Sequence, residues 1–180
     1  MPATTMKTSS EYDKVISQCK DIFIRKTRDY GTAWRVLRVI SIVDQIFIKA
    51  QRIRTIQEKG KQKIADDSCA EFIGIINYAV IGLIQLKLKA GAPEELDPET
   101  VSGMYDREIS VARQLMEDKN HDYGEAWRSM SQESFVDLVL MKLQRIRQIL
   151  QNEGKTEISE GIDANYLDII NYAVFALILM

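Results

Sequence analysis

One ten-residue stretch occurs twice, and any fold for this chain has to accommodate the duplication. Lys26-Thr-Arg-Asp29-Tyr30-Gly31-Thr-Ala33-Trp34-Arg35 returns 93 residues later as Lys119-Asn-His-Asp122-Tyr123-Gly124-Glu-Ala126-Trp127-Arg128, with seven of ten positions identical. Two further blocks recur in the same order. Asp44 and Lys49-Ala-Gln51-Arg52-Ile53-Arg54 are matched at that spacing by Asp137 and Lys142-Leu-Gln144-Arg145-Ile146-Arg147. Ile75-Ile-Asn77-Tyr78-Ala79-Val80 is then matched without a change by Ile169-Ile-Asn171-Tyr172-Ala173-Val174, 94 residues on, so one residue is inserted between Arg147 and Gly154. Two copies of one supersecondary unit, each too small to bury its own apolar face, have to pack on each other.

Each unit reads as three helices. The first runs over roughly Glu11 to Thr27 and Arg107 to Asn120, where Val15, Cys19, Ile22 and Phe23, and Ile109, Ala112, Leu115 and Met116, recur at helical spacing. Ser9 or Ser10 can cap the first of these, and Asp-Tyr-Gly stops both, since glycine takes the left-handed conformation that closes a helix. A second helix is predicted from about Ala33 to Glu58 and Phe135 to Gln151, and a third from near Asp67 and Asp163. No period-two run appears, so the fold class is all-α: two tandem three-helix repeats packed as a pseudo-twofold helical bundle. The expected boundaries are a disordered tail over residues 1–10, repeat 1 over 11–90, a Pro- and Gly-bearing linker over 91–104 and repeat 2 over 105–180, the repeats forming one compact unit.

Composition narrows the function classes. At 180 residues, 46% hydrophobic and 28% charged, the chain is that of a folded protein, and its net charge of −2 lacks the basic excess of a binder of nucleic-acid backbone. Cys19 and Cys69 have no counterparts in the second half and form no CxxC, which fits free thiols in a reducing, cytoplasmic setting. The polar Met1–Ser10 stretch reads as a frayed tail without a targeting signal. Phe72–Leu86 and Tyr166–Met180 are apolar, but at about fifteen residues each, with Asn inside, they read as buried core helices and not membrane spans.

The polar residues that recur are the candidates for a site. Asp137, Lys142 and Arg145 point into one sector of an otherwise apolar helix, and Asp168, Asn171 and Tyr172 share a face of the next. Charges so placed either pair with one another in inter-helix salt bridges or meet a ligand. The ligand reading is a magnesium-bound nucleotide: Mg2+ held by Asp137, Asp163 and Asp168, with Lys119, Lys142 and Arg145 facing phosphate. Asp122, Tyr123, Trp127, Asn171 and Tyr172 complete that surface, and Lys26, Asp29, Tyr30, Trp34, Lys49, Arg52, Asn77 and Tyr78 repeat it in the first half. There Gly74 stands for Asp168 and Cys69 for Asp163, with Asp66, Asp67 and Glu71 as carboxylates in another register, so a metal is expected in repeat 2. In the opening motif a hinge with packed tryptophans competes with a base-stacking, phosphate-binding role. His121 is matched by Arg28 and carries no catalytic expectation. No Gly-rich phosphate loop, GxSxG elbow, HExxH or paired CxxC is present.

Lys-x-x-Asp-Tyr-Gly-x-Ala-Trp, followed by Asp-x4-Lys-x2-Arg-Ile and then Asp-Ile-Ile-Asn-Tyr, resembles the first of the nucleotide modification associated domain families, over roughly residues 12–90 and 105–180. That resemblance implies a bacterial or phage protein linked to nucleotide or DNA-base modification. A looser similarity is to the all-α nucleoside triphosphate pyrophosphohydrolases of the MazG and dimeric dUTPase type. Those hold magnesium with Glu-x-x-Glu on one helix and Glu-x-x-Asp on the next. Here Glu157-x-x-Glu160-x-x-Asp163 overlaps in one stretch interrupted by Gly161, and the preceding helix offers Asp137 alone. Two functions follow as expectations: a nucleotide-binding protein with magnesium-dependent pyrophosphohydrolase chemistry, or a non-catalytic interaction module, homodimeric, whose charged residues are structural.

Overall fold

A computed structural model describes residues 3–60, 67–157 and 160–180. Within them the chain is all-α, as its periodicity predicts. Helices α1 (Ala3–Tyr30), α2 (Val39–Lys59) and α3 (Asp67–Lys87) form the first repeat, and α4 (Pro98–Tyr123), α5 (Gln132–Gln151) and α6 (Ile162–Leu179) the second. A single 3-10 turn, Ala33–Val36 or Ala126–Ser129, joins the first two helices of each.

Three boundaries differ from the sequence expectation, each because of a partner distant in the chain or a cap read as a loop. Residues 3–10 continue α1, so Ser9 and Ser10 are not its cap and these residues are helical where a tail was expected; residues 1 and 2 lie outside the described ones. Thr8 is buried beneath Arg128, whose Nη2 donates to Thr8 Oγ1 at 2.9 Å, and Ser9 Oγ donates to Glu117 at 3.0 Å. The second repeat holds down what polar composition alone would leave to fray. Residues 98–104, expected in the linker, are the first turns of α4. Asp97 Oδ2 accepts from the Thr100 amide at 3.2 Å, and Pro98 sits at the first helical position, where its missing N–H goes unneeded.

The third difference is the break before α2, where a helix from Ala33 was expected. The Gln85 amide donates to the carbonyls of Leu37 at 3.0 Å and Arg35 at 3.1 Å, satisfying oxygens that the helix would otherwise have used. Nothing local at Leu37 announces this stop. At the preceding stop Gly31 adopts φ 61° and its amide reaches Thr27 O at 2.8 Å, the left-handed closure expected of Asp-Tyr-Gly.

Equivalent helices of the two repeats meet across the bundle: α1 with α4, α2 with α5, and α3 with α6. The central α3 and α6, 21 and 18 residues, begin where the sequence places them and extend beyond its two apolar stretches. Each is long and apolar enough to cross a membrane by length and composition, yet most of that surface is inside the bundle, 61% and 56% respectively. They pack tightly at Gly82, where a Cβ would stand 2.6 Å from the Tyr166 ring.

The contacts between repeats are reciprocal. Tyr12 Oη donates to Asn171 Oδ1 at 2.7 Å, and Tyr105 Oη to Asn77 Oδ1 at 2.8 Å. Each asparagine also donates from Nδ2 to the first helix of its own repeat, Asn171 to Ala112 O and Asn77 to Cys19 O, both at 3.0 Å. Arg113 makes a two-pronged pair with Asp13 (2.7 and 3.0 Å), mirrored by Lys20 with Asp106 (2.8 Å). Arg147 pairs with Asp44 at 3.0 Å and, more loosely, Arg54 with Asp137 at 3.8 Å.

Burial raises the pKa of the Tyr12 and Tyr105 hydroxyls well above the ordinary tyrosine value and pushes the Cys19 thiol up to about 12. In the unfolded chain these groups release protons near their ordinary values, so above pH ~9 for the thiol and ~10 for the phenols the folded state binds more protons. Stability therefore falls as pH rises, by about 1.4 kcal/mol per pH unit for each fully titrating group. Tyr12→Phe should make that alkaline slope shallower while costing about 1–3 kcal/mol at neutral pH, because Asn171 Oδ1 loses its donor. Urea unfolding at pH 7.5 and 10.5 measures both effects.

Candidate functional site

In each repeat the Gly31 or Gly124 turn folds the chain back so that the tryptophan of the 3-10 turn approaches the third helix. The first repeat leaves an open pocket of about 540 Å³ there. Its walls are the end of α1 with Lys26, Thr27 and Tyr30, the turn bearing Trp34, Lys49 from α2, and the Glu71, Gly74, Asn77 and Tyr78 face of α3. Tyr30 stands at the rim, 72% exposed. Lys49 Nζ lies 3.7 Å from Glu71 and 5.8 Å from the centre of the Tyr78 ring, and Arg52 holds the other Glu71 oxygen at 2.7 Å. Among the described residues Lys26 has no carboxylate partner. Asn77 forms part of the floor, but its amide is committed to Tyr105 and Cys19.

The equivalent pocket of the second repeat is about 140 Å³. Two substitutions between the copies account for the difference. Phe175 stands where the first repeat has Ile81 and stacks on Trp127, centroids 4.2 Å apart and planes 7° from parallel. Asp168 stands where the first has Gly74 and bridges two cations, Lys119 at 3.0 Å and Lys142 at 2.8 Å. Burial opposes the charge on Lys119, but its hydrogen bond to Asp168 and the surrounding anionic field outweigh that, and its pKa lies above the ordinary lysine value. The Tyr172 hydroxyl is likewise raised, first by burial and then by Asp168.

The structure brings together only part of what the sequence proposed. Lys26, Tyr30, Trp34, Lys49 and Tyr78 share one pocket, and Lys119, Tyr123, Trp127 and Tyr172 share its smaller copy. Asn77 and Asn171 line the pockets, but each uses its Oδ1 and one Nδ2–H in holding the bundle. Asp29 and Asp122 point to solvent, Asp122 beside His121 at 3.3 Å. Arg52 pairs with Glu71, and Arg145 is exposed, its Nη2 4.0 Å from Met141 Sδ, and lines with Lys142 a separate open cavity of about 1340 Å³ on the second repeat.

The magnesium ligands do not assemble. Asp137 belongs to the α2–α5 ion pairs, Asp163 is exposed in the first turn of α6, and both Asp168 oxygens are on lysines. No group of three potential ligands able to hold a metal ion occurs among the described residues. Asp66 lies outside them. Sequence reasoning missed Glu71 as the counter-ion of Lys49 and Arg52. It also missed Glu11 and Glu125, which hold Arg128 at 2.7 and 3.1 Å. Tyr12 and Tyr105, Asp13 and Asp106, and Lys20 and Arg113 obey the 93-residue offset and could have been found by extending it.

Lys142 and Asp168 are both about nine-tenths buried, so removing Asp168 strands Lys142. Asp168→Ala should cost about 3–5 kcal/mol in urea unfolding, and adding Lys142→Met should recover most of it.

Neither the curated proteins nor the solved structures compared with the chain gave a match. The model of nucleotide modification associated domain 1 matches twice, over residues 26–86 and 119–180, that is, over each hinge, second helix and third helix. With both repeats matched, the chain belongs to the nucleotide modification associated domain 1 family as a tandem pair.

Proposed function

We propose that the chain binds a nucleotide in the hinge pocket of its first repeat, in the service of nucleotide or DNA-base modification, while the equivalent hinge pocket of the second repeat is filled by its own side chains. The observation that carries this reading is the 540 Å³ pocket, in which two lysines face aromatic side chains. That volume is within the range of small-molecule sites, and the lining has the two parts a nucleotide needs. Lys26 and Lys49 supply charge for phosphate, and Tyr30, Trp34 and Tyr78 supply faces for a base. The family's name supports the same ligand class. Its copy in the second repeat has the same residue types but has filled its own space.

Pyrophosphohydrolase chemistry is the less supported extension. It needs several carboxylates converging on magnesium, and Asp137, Asp163 and Asp168 are separately engaged or apart. Isothermal titration of the protein with deoxynucleoside mono- and triphosphates, each with and without Mg2+, tests the reading. Binding to one site per chain is expected. Lys49→Met should weaken it at least tenfold, and Trp34→Ala by roughly tenfold, the ~1–3 kcal/mol of a lost stacking partner. Lys142→Met paired with Asp168→Ala should leave it unchanged. Absence of any nucleotide binding would overturn the reading.

A further inference from the structure

The second repeat contains a covalently attached anion at the position where the first has none. Asp168 presents two oxygens, one to Lys119 from the end of α4 and one to Lys142 from α5. The equivalent positions in the first repeat are Gly74, Lys26 and Lys49. Gly74 has no side chain to offer, and Lys49 lies across it: a Cβ there would stand 2.9 Å from Lys49 Cδ and 3.1 Å from Nζ. Among the described residues the one carboxylate lining that pocket, Glu71, is set a turn earlier and is held by Arg52. Lys26, Lys49 and Gly74 thus line one pocket, where the other half of the molecule sets a carboxylate between the equivalent lysines.

Resting on the nucleotide-binding reading above, we infer that the ligand's anionic group sits against Gly74 between Lys26 and Lys49, in the place of the Asp168 carboxylate. The charge at that place selects the class. With Glu71 neutralised by Arg52, the two lysines balance about the −1.5 to −2 that a phosphate monoester carries at pH 7. The ligand is accordingly a nucleoside monophosphate, whose phosphate spans the lysines as a carboxylate does in the second repeat and whose base lies towards Trp34 and Tyr30. The residue at position 74 decides whether the site is open, since a carboxylate there competes for both lysines.

Two substitutions separate charge from bulk. Gly74→Asp should build the Lys26–carboxylate–Lys49 bridge, raise the melting temperature by a few degrees, and lower affinity for deoxynucleoside monophosphates at least 100-fold in isothermal titration. Gly74→Ala, which adds the Cβ alone and needs only the flexible Lys49 stem to shift, should stay within about fivefold of wild type. Lys26→Met, remote from the core packing, should weaken monophosphate binding at least tenfold. Equal affinity in wild type and Gly74→Asp, or an equal loss in Gly74→Ala and Gly74→Asp, overturns the placement while nucleotide binding stands. Triphosphates bound more than tenfold tighter than monophosphates overturn the ligand class alone. Wild-type protein that binds no nucleotide brings down both the placement and the function it rests on.

Discussion

The hydrogen bonds exchanged between Tyr12 and Asn171, and between Tyr105 and Asn77, are the constraint on which the bundle rests. All four residues are buried, and a buried amide or hydroxyl without a partner costs about 1–3 kcal/mol. Each asparagine meets the requirement by donating to the first helix of its own repeat and accepting from that of the other. A single repeat could make only half of this arrangement and would leave an amide oxygen and a phenol unpaired in an apolar setting. The two repeats are therefore one folding unit, and the twofold contact that separate copies would have to make between chains is made inside one. The mirrored ion pairs Asp13–Arg113, Lys20–Asp106, Asp44–Arg147 and Asp137–Arg54 follow the same axis. Most are half exposed and each contributes little stability, but all are satisfied together only in this register.

With the frame fixed by symmetry, chemistry resides in the departures from it. Position 74/168 is glycine or aspartate, 81/175 isoleucine or phenylalanine, and 71/165 glutamate or asparagine. In the second repeat these choices fill the pocket with a stacked aromatic pair and an ion triad. In the first they leave a cavity nearly four times larger and a lysine, Lys26, without a carboxylate among the described residues. Unpaired charge beside an open apolar wall does not stabilise a bundle, and the copy that retains it is the one whose hinge pocket has room for a ligand.

Much of the fold was legible because duplication and helical period act locally. The helix count, the order of blocks and the sets of residues sharing a face follow from spacing alone. Boundaries set by distant partners were not legible: Gln85 ends the turn before α2 from a different helix, and Arg128 holds down the start of α1. The Asp97-Pro98 start of α4 was readable but looks equally like a linker. For the candidate site, spacing identified which polar residues gather at each hinge without revealing their occupation. Asn77 and Asn171 look like ligand-binding amides until Tyr12 and Tyr105, far away in sequence, are found to occupy them. Asp137 looks like a metal ligand until Arg54 is found opposite.

The largest reversal concerns which repeat is open. Counting carboxylates favours the second, because a metal needs them. Geometry reverses the count. An aspartate within 3.0 Å of two lysines is already neutralised, and any anion entering that site would have to displace it against a pairing strengthened by burial. The same residue that enriches the sequence in candidate ligands thus removes the vacancy a ligand needs. Where lysines are kept in both copies and the acid in only one, the acid marks the copy that has satisfied itself, and the glycine marks the copy in which Lys26 has no carboxylate among the described residues.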